Sequence, residues 1–299
     1  MLRAERFFQM RLTLPTCALS LAVVGLVVFG ATGLGAVFSA AAAEGQERAV
    51  TLDVVIAEGA KPMREAVTFS IARIGPGGRL QPLAQEVGAP LKTTLADGRY
   101  QVEARFGDAS ALSVFDVAGR AVTHRVNLNA GWAQLRVIPH RGAQPLASAI
   151  DWQILTYGRD ASGQRRPVAA VRSPNPQVVL PQGHYLVVAR TADALARHTI
   201  EITAGHTYKY TLDLNAGAVA FSALRGRGGP VINETVDWKV FKANDTSFSK
   251  PVATRSAANG QFLLRQGRYV VLASRGQWKG RATVEVRPGN ERRIAVELN

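Results

Sequence analysis

Apolar and polar residues alternate over short runs through most of this chain, and the runs recur. Ile150-Asp151-Trp152-Gln153-Ile154 puts three apolar side chains on one face of a strand and two polar ones on the other. Val236-Asp237-Trp238-Lys239-Val240 repeats the arrangement, and Val67-Thr68-Phe69-Ser70-Ile71 does so with Phe69 as the aromatic. A large ring filling a sheet-facing core accounts for these positions without any binding role.

A second pattern is more regular still. Leu95-Ala96-Asp97-Gly98-Arg99-Tyr100, Leu180-Pro181-Gln182-Gly183-His184-Tyr185 and Leu264-Arg265-Gln266-Gly267-Arg268-Tyr269 recur at intervals of about 85 residues, so a repeat sets the architecture. Each leads into a strand on which Tyr, Val and Ala share a face: Tyr100, Val102, Ala104; Tyr185, Val187, Ala189; Tyr269, Val271, Ala273. The glycines fit a turn that needs positive φ. A tyrosine at a strand start is placed to pack inward and hydrogen-bond nearby backbone, as in a tyrosine corner. Gly98, Tyr100, Trp152, Gly183, Tyr185, Trp238, Gly267 and Tyr269 are therefore read as the structural motif of the repeat. Gly119, Gly205 and Gly289 each separate the last two alternating runs of a repeat and predict a tight hairpin there. Between the two patterns, residues 75–90, 157–176 and 242–260 are rich in Gly, Pro, Ser, Asn and charge, and read as long hairpin loops or edge strands.

Each unit holds six or seven short strands and no helix, with turn signals at the spacing of a small antiparallel sandwich. The expected organisation is three tandem all-β sandwiches over 44–130, 131–216 and 217–299, joined directly at 130–132 and 216–218. A unit of this length can bury its own core, unlike a solenoid repeat.

The second half of each unit, 95–128, 180–214 and 264–298, resembles the bacterial surface repeats called PEGA domains, and more broadly the Ig-like and prealbumin-like (carboxypeptidase regulatory-like) sandwiches. The first halves, which carry the Asp-Trp pairs, are longer than the PEGA pattern. The resemblance implies non-catalytic accessory, adhesion or scaffolding roles in the cell envelope, and it carries over no catalytic residue.

The N-terminus differs from the rest. Arg3, Arg6 and Arg11 precede a stretch, Leu12 to Ala43, without a charged residue, which ends in an alanine run before Glu44. A basic start, an apolar middle and a small-residue end are the parts of a secretory signal. The stretch is also long enough for a transmembrane helix, so a cleaved signal peptide and a membrane anchor formed by residues 12–43 both remain open. In either case the arginines stay in the cytoplasm and the repeats face the periplasm, free or at the inner membrane. Cys17, the sole cysteine, lies ahead of the apolar centre, where a lipidated cysteine would follow it. The exported part can form no internal disulfide.

The composition, 47% apolar and 19% charged, is that of a globular chain. The net charge of +14 favours anionic partners such as lipid headgroups or anionic glycans of the envelope. Arg159, Arg165, Arg166 and Arg172 concentrate in one variable loop and are the candidate polyanion contact. Export and the lack of repeated aromatic platforms among the cations argue against nucleic acid. No histidines stand at the spacing of a metal pair, and one recurring carboxylate per repeat (Asp151, Asp237) is poor provision for calcium. No nucleophile elbow or phosphate loop is present. The expectation is a non-enzymatic protein without cofactor or metal, acting as a scaffold or interaction module towards an envelope or membrane protein. The alternative is a carbohydrate- or polyanion-binding protein that uses the basic loops.

Overall fold

The computed structural model describes residues 46–299. The apolar N-terminal stretch and Cys17 lie outside the described residues. Among those described, no helix is long and apolar enough to cross a membrane.

One seven-strand plan occurs three times. The first copy comprises β1 (Glu47–Val55), β2 (Val67–Ile74), β3 (Leu80–Gly88), β4 (Leu91–Ala96), β5 (Gly98–Phe106), β6 (Ala109–Val117) and β7 (Val122–Asn127). The second comprises β8 (Ala130–Ile138), β9 (Ile150–Thr156), β10 (Pro167–Ser173), β11 (Gln177–Pro181), β12 (Gly183–Arg190), β13 (Leu195–Ile202) and β14 (Thr207–Asp213). The third comprises β15 (Ala216–Arg225), β16 (Val236–Lys242), β17 (Ala253–Ala257), β18 (Asn259–Arg265), β19 (Gly267–Arg275), β20 (Trp278–Val286) and β21 (Glu291–Leu298). Each copy packs a three-stranded sheet (β4-β1-β7, β11-β8-β14, β18-β15-β21) against a four-stranded one (β3-β2-β5-β6, β10-β9-β12-β13, β17-β16-β19-β20). The described residues are thus all-β, as three tandem sandwiches.

The expected hairpin at Gly119, Gly205 and Gly289 is corrected. The strands flanking Gly205 do not pair with each other: β13 pairs with β12 in one sheet, and β14 pairs with β8 in the other. The turn is a crossover between sheets. It delivers the last strand to the free edge of the first, which it meets in parallel, as β7 meets β1 and β21 meets β15. All other strand pairs are antiparallel. The three crossover glycines have φ of +67°, +78° and +75°.

The recurrent aromatic and alanine are one packing solution. Phe69 stands opposite Ala104, Trp152 opposite Ala189 and Trp238 opposite Ala273. A small residue across the ladder leaves the inner face to the ring. All three rings are essentially inaccessible. The two indoles also satisfy their N–H, Trp152 donating to the Ser173 carbonyl and Trp238 to the Ala257 carbonyl, both at 2.9 Å. Phe69 has no such group to satisfy.

The tyrosines close the turn that precedes their strand. Tyr100, Tyr185 and Tyr269 donate their hydroxyls to the carbonyls of Ala96, Pro181 and Arg265 at 2.6, 2.8 and 2.8 Å. Burial pushes all three phenols up from their ordinary pKa. Gly183 and Gly267 have φ of +151° and +154°, whereas Gly98 has no positive φ. At Gly98 the Arg73 guanidinium fills the space, 3.1 Å from where a Cβ would stand. Tyr185→Phe should cost about 1 kcal/mol by leaving the Pro181 carbonyl without its donor. Urea unfolding of the variant checks this, and an unchanged midpoint would show that the bond has no net worth.

The sixth and seventh strands of each sandwich lie in different sheets, and the copies fill the seam between them differently, the third also with a backbone pair in which Lys279 and Asn299 exchange both bonds at 3.0 Å. In the first, Ser113 Oγ and His124 Nε2 lie 2.8 Å apart, with His124 stacked on Phe115. Burial lowers the His124 pKa. In the second, His198 leans on Tyr210, which stacks on Tyr208, while His206 leans on Tyr208. In the third, the half-buried Ala282 and Ile294 pack against the core. His198 and His206 therefore sit against tyrosines rather than facing each other. Among the described residues no group of three or more His, Cys, Asp or Glu is placed to hold a metal ion.

Candidate functional site

The structure places the four arginines of the variable loop between β9 and β10, or on β10 itself, and gives most of them internal partners. Arg159 donates to the Gly163 carbonyl at 2.6 Å. Arg165 donates to the Thr156 carbonyl at 3.0 Å and lies 5.3 Å from the Tyr157 ring centre. Arg172 reaches both carboxylate oxygens of Asp151, at 3.0 and 3.3 Å. The loop turns on Asp160, whose carboxylate accepts from Ser162 Oγ and from the amides of Ser162 and Gln164. Those bonds, led by the Ser162 hydroxyl and assisted by the nearby Arg166 charge, hold Asp160 below the usual carboxylate range. Of the four only Arg172 is ion-paired, with Asp151; the bonds of Arg159 and Arg165 to carbonyls brace the loop and leave their charges in place.

The junctions between copies form a second locus, which recurs. At the first, Gln182 N donates to Asn129 O and Gly205 N to Ala130 O, both at 2.8 Å. At the second, Gln266 N donates to Asn215 O at 2.8 Å and Gly289 N to Ala216 O at 3.0 Å. Asn129 and Asn215 both take left-handed backbone, with φ of 47° and 52°. Asparagine tolerates that region better than most side chains. Ala130 and Ala216 start the next copy's first strand, yet each is buried in the core of the copy before it. Gly205 comes against Ala57, and Gly289 against His140. With no linker and a matching hydrogen-bond set, the two junctions are built the same way.

Side chains distinguish the second junction. Asp193, at the tip of the β12–β13 turn, reaches into the third copy. Its carboxylate accepts from Arg255 and from the Leu263 amide, both at 3.3 Å. Only 9% of the Asp193 side chain is exposed. Burial raises its pKa, and the Leu263 amide and Arg255 oppose the shift without cancelling it. The folded chain therefore holds this proton more tightly than the unfolded one. The contribution of this group to stability is full below the ordinary carboxylate pKa and is lost as pH rises through the raised value. Asp193→Asn keeps the neutral form at all pH. Relative to wild type it should be no less stable at about pH 7 than at about pH 3. Thermal unfolding at both pH values checks this, and a variant that loses ground as pH rises would refute it.

Two open grooves meet at Asp193. One, of about 700 Å³, is lined in part by Arg255, Phe262, Glu291 and Arg293. Its cations are partnered, Arg255 with Asp193 and Arg293 with Glu291. The other, of about 860 Å³, is lined by Arg190 and the β12–β13 turn from the second copy, and by Lys242, Asn244, Asp245, Lys250, Arg265 and Gln266 from the third. Sequence reading missed this grouping, because its members come from separate strands and loops of two copies.

No protein-family model matches the chain, and no curated protein does. The likeness to PEGA repeats thus rests on the residues quoted above alone. Among solved structures, the chain is similar to the Streptococcal ancillary pilin, with TM-score 0.32 and 10% identity over 85% of this chain and 99% of that one. It is similar to BcpA, the major pilin subunit of Bacillus cereus, with TM-score 0.24 and 10% identity over 85% and 99%. It is also similar to the Bacillus anthracis TIE protein, with TM-score 0.24 and 13% identity over 84% of this chain and 50% of that one, so the chain spans half that protein's length. Likeness at these scores assigns neither an activity nor a partner.

Proposed function

We propose that this chain is a non-catalytic envelope scaffold: three sandwich units, 44–130, 131–216 and 217–299, exported or anchored by the N-terminal stretch, that present their variable loops to a protein partner. The observation that carries the reading is the repeated junction. Two linker-free joints built on the same backbone bonds, Gln182 to Asn129 and Gln266 to Asn215, hold successive units in register. A spacer or scaffold needs that, whereas flexibly linked binding modules do not. The copies agree in core and junction and differ in the β2–β3, β9–β10 and β16–β17 connections, so partner specificity belongs to those connections. Crosslinking the full chain in host membranes, followed by pull-down, should recover a discrete envelope or membrane protein. Recovery of none would sink the scaffold reading. The N-terminus of the recovered chain, read by mass spectrometry, distinguishes a cut signal from an anchor.

A further inference from the structure

We propose that the larger groove at the junction of the second and third copies is a binding site for an acidic oligosaccharide. Arg190, Lys242, Lys250 and Arg265 line it, and none of the four forms an ion pair among the described residues. Of the two carboxylates of the groove, Asp193 is paired with Arg255 and also accepts from the Leu263 amide, while Asp245 accepts from the neutral Ser247 Oγ and Lys250 amide and keeps its charge. Four cations against one unpaired carboxylate leave the groove basic.

The first junction provides an internal control. By the repeat register, Arg190, Lys242 and Arg265 correspond there to Arg105, Thr156 and Pro181. Arg105 is paired with Glu103 at 2.8 Å, and the other two carry no charge. The first junction therefore forms with a single cation at these three positions, itself ion-paired, so the unpaired set at the second junction needs a reason other than joining the copies. The loop that carries Lys250 is held by the third copy itself: Phe248 packs edge-on against Phe241 at 5.3 Å, with Arg281 stacked on Phe248.

Shape and polar lining select the ligand. A groove of about 860 Å³ is far larger than one small anion needs and is within the size of sites for extended small molecules. The Asn244 amide and the Gln266 Nε2 stand among the cations, as hydroxyl-rich rings carrying acid groups would require, while Thr191 Oγ1 and Gln266 Oε1 already bond to Ala194 and Asn215. A membrane surface would be met by cations on a protruding face, and these line a concavity.

Titrating the full chain with oligogalacturonate tests the proposal, with a neutral malto-oligosaccharide, inorganic phosphate and phosphatidylglycerol vesicles as parallel arms. Oligogalacturonate should bind and the neutral sugar should not. Raising salt from about 0.1 M to about 1 M, which shortens the screening length from about 10 Å to about 3 Å, should weaken binding at least about tenfold. Each of Arg190→Gln, Lys242→Gln, Lys250→Gln and Arg265→Gln should weaken it about fivefold, the scale of one cation near a polyanionic surface. The Arg165→Gln, Arg166→Gln double variant should leave it unchanged. Bound oligomer should slow amide exchange in 190–195 and 242–252 but not in 157–166. Absence of binding, binding indifferent to the groove variants, phosphate binding as tightly as the oligomer, or binding to vesicles alone would each overturn the proposal. A partner found by crosslinking would survive that failure, because the scaffold reading does not depend on this groove.

Discussion

Trp238→Ala is expected to lower the stability of the third sandwich by about 3–5 kcal/mol, the range for truncating a fully buried aromatic. The ring is completely inaccessible and stacks on Phe221 with centroids 5.8 Å apart and planes 23° from parallel. On another side it lies against Gly260, where a Cβ would come within 2.9 Å of the indole. Backbone thus forms one wall of the cavity that alanine would leave, and that wall closes less readily than flexible side chains would. The substitution also strands the Ala257 carbonyl, which accepts the indole N–H at the edge strand β17. Trp238→Phe should recover part of the loss, because it restores ring volume without the donor. Denaturant unfolding checks both, provided the transition of the third copy is followed separately, since a chain of three cores need not unfold in one step. A loss below about 1 kcal/mol for alanine would mean that the core collapses around the gap.

Gly217→Ala should destabilise the second junction by about 1–3 kcal/mol, the scale of overpacking. A Cβ at Gly217 would stand 2.3 Å from the Arg287 carbonyl and 2.9 Å from that of Asn290. Both oxygens belong to the crossover turn, so backbone rather than a mobile side chain would have to give. Moving that turn breaks the bond from Gly289 N to Ala216 O. Amide exchange at Gly289 should therefore rise, together with the loss of stability. Gly131 is in the same position at the first junction, where a Cβ would stand 2.5 Å from the Thr203 carbonyl, and Gly131→Ala should behave alike. An alanine variant with wild-type stability and unchanged exchange at Gly289 would show that the crossover shifts freely. These two glycines open their copies just after Asn129-Ala130 and Asn215-Ala216, in a recurrent triplet whose spatial reason is this close passage.

Much of the fold was legible along the chain because its causes are local. Alternation with period 2 locates strands, and a ring opposite a small residue locates an inner face. Tyr185 could be read as inward-facing because Val187 and Ala189 share its side. The crossover was not legible. Gly205 between two alternating runs has the local signature of a hairpin, and nothing nearby reports that β14 finds its partner in β8, far earlier in the chain. The partners of the arginine loop were not legible for a related reason. Clustering in sequence gathered Arg159, Arg165 and Arg172, and only the fold shows which carbonyl or carboxylate each meets.

The sequence by itself determined the repeat, the all-β character, the inward tyrosines and the aromatic positions, because each depends on backbone conformation and on burial along a single strand. The tertiary structure alone decided which edge the last strand joins, how tightly the copies abut, and which cations are left unpaired. Strand pairing depends on which edges remain free once the other strands are in place, and charge pairing depends on distances across loops. Arg190, Lys242, Lys250 and Arg265 are unremarkable one at a time, and they become a basic groove only when the second and third sandwiches meet at Asp193.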